Sequence, residues 1–285
     1  MPILKLFSRL PLPLLYLLSP CIYFLLYSIL GYRKAVIKAN LLLAFPEKTV
    51  NERKIIEKGF YRHLSWLIIE IWKLMTMSEK EFKKRCTYSV SEDLQTEIKK
   101  GTSIIMLGSH LCNWEFSVYA PRLLLSLPFS TLYLPINQAF FHKMLYDIRS
   151  RFEMQPISMK TALREIVKRK HEVCTFGFAS DQSPHRGMID YYHTFFGYET
   201  PFATGAEKIA QKLQYPIMYQ SVRRIRKGYY HYSFELLSAP PYTSETTHFP
   251  IMEEYIKRIE RDISDNPSHW LWSHRRWKHA KTPQD

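Results

Sequence analysis

The chain has 285 residues, enough for one large domain with an appendage, and carries a formal net charge of +14. Its 19 Tyr, 17 Phe and 6 Trp among many Lys and Arg suit a membrane interface, where rings and cations sit at headgroup depth. Nucleic-acid binding would use the same mixture, but there is no zinc-finger spacing, RNP-like signature or GxxG loop. Four cysteines without a CxxC pair (Cys21, Cys86, Cys112, Cys174) argue against a disulfide framework or a zinc site.

Residues 11–30 contain no charge and are long enough to span a bilayer as a helix. Lys5 and Arg9 precede them; Arg33, Lys34 and Lys38 follow. No small-residue cleavage site is present, so the segment reads as a retained anchor. Pro11, Pro13 and Pro20 leave a kinked span, a re-entrant segment and an interfacial helix all open. Residues 1–32 are therefore expected to be the anchor, with the basic remainder on the cytoplasmic side.

Residues 33–85 read as a helical lead-in. Val36, Ala39, Leu42 and Leu43 form one apolar face, and Phe45-Pro46-Glu47 ends that helix. Thr49 can cap the next. Over 51–77, Ile55, Ile56, Phe60, Leu64, Leu67, Ile68, Ile71 and Leu74 form a wide helical stripe.

Beyond residue 86 strands and helices alternate. Strands are expected over 102–107, 129–136, 154–158 and 173–179, with helices over 114–125, 138–152, 161–170 and 204–213. Strands over 217–223 and 229–236 and a helix over 249–264 complete the pattern. This predicts an α/β fold with a mostly parallel central sheet and flanking helices. Sites in such sheets lie beyond the carboxyl ends of the strands, where His110 and the segment from Ser180 to Pro184 fall.

His110 follows an apolar strand broken by Gly108 and Ser109, and Asn113 can cap the helix beginning near Trp114. A histidine at such a turn, with Glu115 in the next helix's first turn, is a general base with an orienting partner. The alternative is a hydrogen-bonded structural histidine. His followed five residues later by an acid occurs four times, but the other three lack this context. His142/Asp147 lies within a helix and faces apart, Pro250 interrupts His248/Glu253, and His185/Asp190 lies in a polar loop and stays a minor candidate. Cys112 reads as a small buried residue rather than a nucleophile.

Four blocks resemble a known family. Ser109 to Glu115 is similar to the histidine–four residues–acid motif of the late acyltransferases of lipid A assembly, the lauroyl/myristoyl acyltransferases of Gram-negative bacteria. Ala179-Ser180-Asp181-Gln182 resembles their strand-end block with an aspartate. Phe195-Phe196-Gly197 with Thr200 to Gly205 resembles their aromatic-glycine and threonine-glycine block. Trp270 to Lys278 resembles their C-terminal Trp-x-His-Arg-Arg-aromatic-Lys signature. Asn40-Leu41 and Ala44 to Glu47 match a block after the anchor. The blocks run in the family's order over nearly the whole chain. Two departures are Glu for Asp at 115 and Gln-Ser-Pro after Asp181. Phosphatidylinositol-mannoside acyltransferases share parts of the pattern.

The resemblance implies a glycerolipid acyltransferase-like fold at the bacterial inner membrane, with no cofactor and no metal. It implies acyl transfer from an acyl carrier protein thioester to a hydroxyl of a lipid A precursor, without an acyl-enzyme. His110 would deprotonate the hydroxyl and Glu115 would hold the ring. Arg149 would receive the developing oxyanion, unless it is a surface arginine. Asp181 would hold an arginine, position the acceptor, or simply close a turn. Asn113 counts among the substrate-side residues, though capping suits it better. Thr204 and Gly205 open a helix and would receive a phosphate or act as a plain cap. His274, Arg275, Arg276 and Lys278 form a basic cluster suited to an anionic headgroup or the acidic carrier, unless it is a packed C-terminal patch. Competing readings are an acyltransferase of another glycolipid, a metal-dependent hydrolase and a non-catalytic acyl-lipid-binding membrane protein.

Overall fold

A computed structural model describes residues 2–242 and 248–281. The N-terminal part holds α1 (Pro2–Phe7), α2 (Leu12–Leu15) and α3 (Ser19–Phe24), then α4 (Lys34–Ala44) and the long α5 (Val50–Leu74). A 3-10 turn over Tyr16–Leu18 and a π turn over Leu25–Ile29 join the pieces into one helical run, Leu12–Ile29. By length and composition that run can cross a membrane. Pro13 and Pro20 fall in the first turns of α2 and α3, where the missing N–H costs nothing, so the hydrogen-bond pattern changes there and the run is not one ideal helix.

One side of the run lies along α5. Leu12, Leu15, Tyr16 and Ser19 are buried, and Tyr27 packs edge-on against Tyr61 at 5.1 Å. The other side leaves Leu14, Leu17, Leu18, Phe24, Leu25 and Ile29 exposed. α5 begins with the expected cap: Thr49 Oγ1 accepts from Glu52 N, and Glu52 returns a carboxylate to Thr49 N at 2.7 Å.

Next come α6 (Glu79–Arg85), β1 (Cys86–Val90), α7 (Glu92–Lys99), β2 (Ile104–Gly108), α8 (Trp114–Leu124), β3 (Phe129–Tyr133), α9 (Ala139–Arg149), β4 (Ile157–Ser158), α10 (Ala162–Lys168) and β5 (Thr175–Ala179). β6 (Tyr191–Phe195), β7 (Tyr198–Phe202), α11 (Gly205–Leu213), β8 (Ile217–Arg226), β9 (Tyr229–Ser238) and α12 (Pro250–Asp265) complete the chain.

Among the described residues seven strands form one sheet in the order β1-β9-β8-β2-β5-β3-β4, with only the β8–β9 pair antiparallel. The mostly parallel α/β architecture is as expected. β2 is buried along its whole length, as is β5 up to Ala179, because helices cover both faces of the sheet centre. β6 and β7 form a separate hairpin closed by Phe196 and Gly197, both at positive φ. The hairpin, α7 and the edge strand β1 were not distinguished in the sequence. In β1 only Cys86 is buried, so apolar patterning is weak there.

Candidate active site

β2 and β5 are neighbours, and Gly108 stands opposite Ala179. Two residues beyond these partners the chain places His110 and Asp181. Asp181 Oδ1 lies 2.7 Å from His110 Nδ1, and Oδ2 accepts from the His110 main-chain N–H at 2.8 Å and the Trp270 indole at 2.9 Å. Burial would raise the Asp181 carboxyl. The charge of His110 and these hydrogen bonds outweigh burial and lower it to about 2. An ionised Asp181 accepts the Nδ1 proton and leaves Nε2 as a hydrogen-bond acceptor. The His110 side chain is 21% exposed and that of Asp181 1%, so the ring reaches solvent while its carboxylate is shielded.

The orienting carboxylate is thus Asp181 and not, as the five-residue spacing suggests, Glu115. Glu115 points elsewhere: its two oxygens take Arg149 Nε at 2.9 Å and Nη2 at 2.5 Å. Arg149 comes from the end of α9 and Glu115 from the first turn of α8. This bidentate pair is nearly enclosed, with side-chain exposures of 17% and 2%. The Arg149 guanidinium is favoured in its charged form: burial opposes this, but the Glu115 charge outweighs burial.

The turn between His110 and α8 is held from behind. Cys112 adopts a left-handed φ of 53°, its N–H donates to His269 O at 2.9 Å, and His63 Nε2 donates to its carbonyl at 3.0 Å. The Cys112 thiol is pushed up to about 12 by burial, which removes it as a nucleophile near neutral pH. Asn113 is fully buried; its Oδ1 caps Phe116 N at 3.0 Å and its Nδ2 donates to Glu70 at 2.7 Å. Both of its polar atoms are thus spent on building the turn. Glu70, also buried, takes Tyr230 OH at 2.6 Å and Tyr16 OH at 2.5 Å as well, linking the N-terminal run to the turn after His110.

The C-terminal cluster divides. Arg275 and Lys278 are exposed and His274 is half-buried. Arg276 is turned inward with 0% exposure, its guanidinium 4.1 Å from the Phe202 ring centre, and none of its nitrogens has a hydrogen-bond partner. Burial, against the attraction of Asp181, lowers it to about 9. It is a buried charge behind the site, not the surface contact expected. His274 is lowered to about 4, first by burial, and is neutral near pH 7. At α11, Thr204 Oγ1 donates to Asp190 at 2.8 Å, and Lys208 pairs with the same carboxylate. The chain's own carboxylate thus stands at the start of α11, where Thr204 and Gly205 were expected to receive a phosphate.

Glu70 and His63 were missed in the sequence, and Trp270 and Asn40 stood in the resembling blocks without a role. Asn40 Nδ2 donates to the carbonyls of Trp272 and His274, both at 2.7 Å, and Phe45 packs on Trp272. Those contacts tie the 40–47 block to the C-terminal turn. Glu70 and His63 had a visible signal: with Ile56, Phe60, Leu67 and Leu74 they share the core-facing stripe of α5.

Residues 2–279 match the family model of bacterial lipid A biosynthesis acyltransferases. The chain belongs to that family. It is 24% identical over 277 residues to the lipid A biosynthesis palmitoleoyltransferase of Escherichia coli K12, covering 97% of this chain and 89% of that protein. A lipid A biosynthesis acyltransferase of Haemophilus influenzae is 24% identical over 254 residues, 88% of this chain and 80% of its own. The match spans the N-terminal run, the sheet and the C-terminal turn carrying Trp270, so it covers every element that builds the site.

Proposed function

We propose that this family member transfers a fatty acyl chain from an acyl carrier protein thioester to a hydroxyl of a lipid A precursor. It would work at the cytoplasmic face of the bacterial inner membrane, held there by residues 1–32. The observation that carries this reading is the His110–Asp181 pair at the mouth of the sheet. His110 Nε2 takes the hydroxyl proton as that oxygen attacks the thioester carbonyl, and Asp181 balances the imidazolium. The C–S bond then breaks, and the departing thiolate receives the proton from His110. No acyl-enzyme is needed. Arg149, whose Nε and Nη2 are held by Glu115, offers Nη1 to the thioester oxygen.

The surroundings suit the substrates. Arg149 lines a shallow notch with Tyr133, Leu134, Ile136, Leu145 and Tyr146, and Phe140 and Phe141 are exposed nearby in sequence. Such a surface suits an acyl chain. Exposed Arg275 and Lys278 suit an acidic carrier or a phosphorylated headgroup.

The test is mass spectrometry of a lipid A precursor incubated with acyl carrier protein thioesters and the purified protein. One added acyl chain with wild type and none with His110→Ala is expected. Folded protein that adds no chain from any donor overturns the reading and turns attention to other glycolipid acceptors.

A further inference from the structure

A second charged cavity, of about 540 Å³, lies between α5 and the chain just before Trp270. None of His110, Asp181, Glu115 and Arg149 lines it. Its walls include Lys58, Arg62, Trp66, Arg224 and His269, with Asp265 the one carboxylate among them. We propose that this cavity binds a phosphate ester, that of an anionic membrane phospholipid.

The first argument is uncompensated charge. Lys58 and Arg62 are exposed and form no ion pair among the described residues. Arg224 stacks over Trp66 at 4.5 Å and donates to the neutral nitrogen of His63 at 3.2 Å; its charge acts on buried Glu70, but among the described residues no ion pair joins it to a carboxylate. His269 Nδ1 is buried and lacks a hydrogen-bond partner, although buried polar atoms normally have one. Burial first, and then the Arg224 charge, lower His269 to about 3, so its ring is neutral and lies in the positive field of Arg224. A bound anion would offset that field and give the guanidinium and ammonium groups their missing partner.

The second argument locates the source of the phosphate. Lys227 lies over Trp66 at 5.1 Å and over Tyr16 at 4.2 Å, and Tyr16 belongs to the apolar run whose outer side chains are exposed. On α5, Arg62 follows Tyr61, which packs on Tyr27 of the same run. Cations and amphipathic rings beside a lipid-facing helix occupy the depth of phospholipid headgroups. The choice of lipid rests on the membrane-bound reading above; the positive cavity does not.

The test is calorimetric titration of the full chain in neutral detergent with dihexanoyl phosphatidylglycerol, inorganic phosphate and glucosamine 1-phosphate. Phosphatidylglycerol should bind about tenfold or more tighter than either small phosphate, and Lys58→Gln/Arg62→Gln should weaken it about tenfold or more. Both side chains are exposed, so the melting temperature should not move. If the double variant nevertheless unfolds, Arg62→Lys and Arg62→Gln decide: the first should keep lipid affinity and the second lose it. Equal affinity for inorganic phosphate, or tighter binding of glucosamine 1-phosphate, overturns the lipid as source. Lipid affinity unchanged in the variants, or no binding, overturns the site. No acyl donor or acceptor is present, so failure of the acyltransferase reading would leave this result intact.

Discussion

Asp181 Oδ1 stands 2.7 Å from His110 Nδ1, and each residue lies two positions past a register pair, Ala179 and Gly108, on adjacent parallel strands. Asp181→Asn should lower kcat by about 10³-fold, because an amide can neither fix the Nδ1–H tautomer nor balance an imidazolium. His110→Ala should cost at least as much, and the double variant should be no slower than His110→Ala, since the two act as one unit. Acyl transfer rates measured by mass spectrometry on the three variants check this. An additive loss would break the pairing.

Glu115 and Arg149 form a different unit. Removing either leaves the other charge buried without its partner, costing about 3–5 kcal/mol. Glu115→Ala and Arg149→Ala should therefore melt at similarly reduced temperatures, and the double variant should melt close to either single one. Chemical denaturation of all three gives the coupling energy directly. A coupling near zero would show that the bidentate contact is unimportant in solution.

Much of the sheet was legible because its centre is apolar on both faces. Ile104 to Leu107 and Phe176 to Phe178 could hardly be anything but buried strands. His110 stood out for the same reason, as a polar residue just past such a run. Its partner did not, because Asp181 is 71 residues away and is brought near only by the adjacency of β2 and β5. Spacing along the chain favoured Glu115, which a helix directs to Arg149. The inward turn of Arg276 was equally hidden: in sequence it looks no different from exposed Arg275.

Asn113 supports the turn after His110 through its cap and through Glu70. Asn113→Ala should cost about 1–3 kcal/mol, combining a lost N-cap with one lost donor to a buried carboxylate. Urea unfolding measures it. A change below the error of the extrapolation would remove Asn113 from the scaffold of the turn.

Glu207 gives a pH signature. Burial raises its carboxyl to about 7, outweighing the main-chain hydrogen bonds from Met252 and Ile251. A group raised in the folded state favours folding when protonated. Its contribution is therefore present below the ordinary glutamate range and is lost as pH climbs through about 7. Glu207→Gln, which keeps an acceptor for Met252 N, should raise stability at pH 8 and change it little at pH 5. Thermal melts at both pH values decide; equal effects at both would contradict the shift.

The outward side chains of the Leu12–Ile29 run should govern membrane attachment. Leu17 is 72% exposed and Phe24 58%, so Leu17→Glu/Phe24→Glu should spare the fold and abolish co-sedimentation with vesicles. Retained sedimentation would move the membrane contact to another surface.

The sheet ladder also separates what can vary from what cannot. A one-residue slip of β5 against β2 would turn its side chains to the opposite face, break a fully covered sheet and carry Asp181 away from the histidine. The His110–Asp181 pair therefore has the stiffness of hydrogen-bonded strands. The 134–146 stretch and the C-terminal cations sit outside that ladder. Substitutions there leave the β2–β5 register, and with it the 2.7 Å His110–Asp181 contact, as it is.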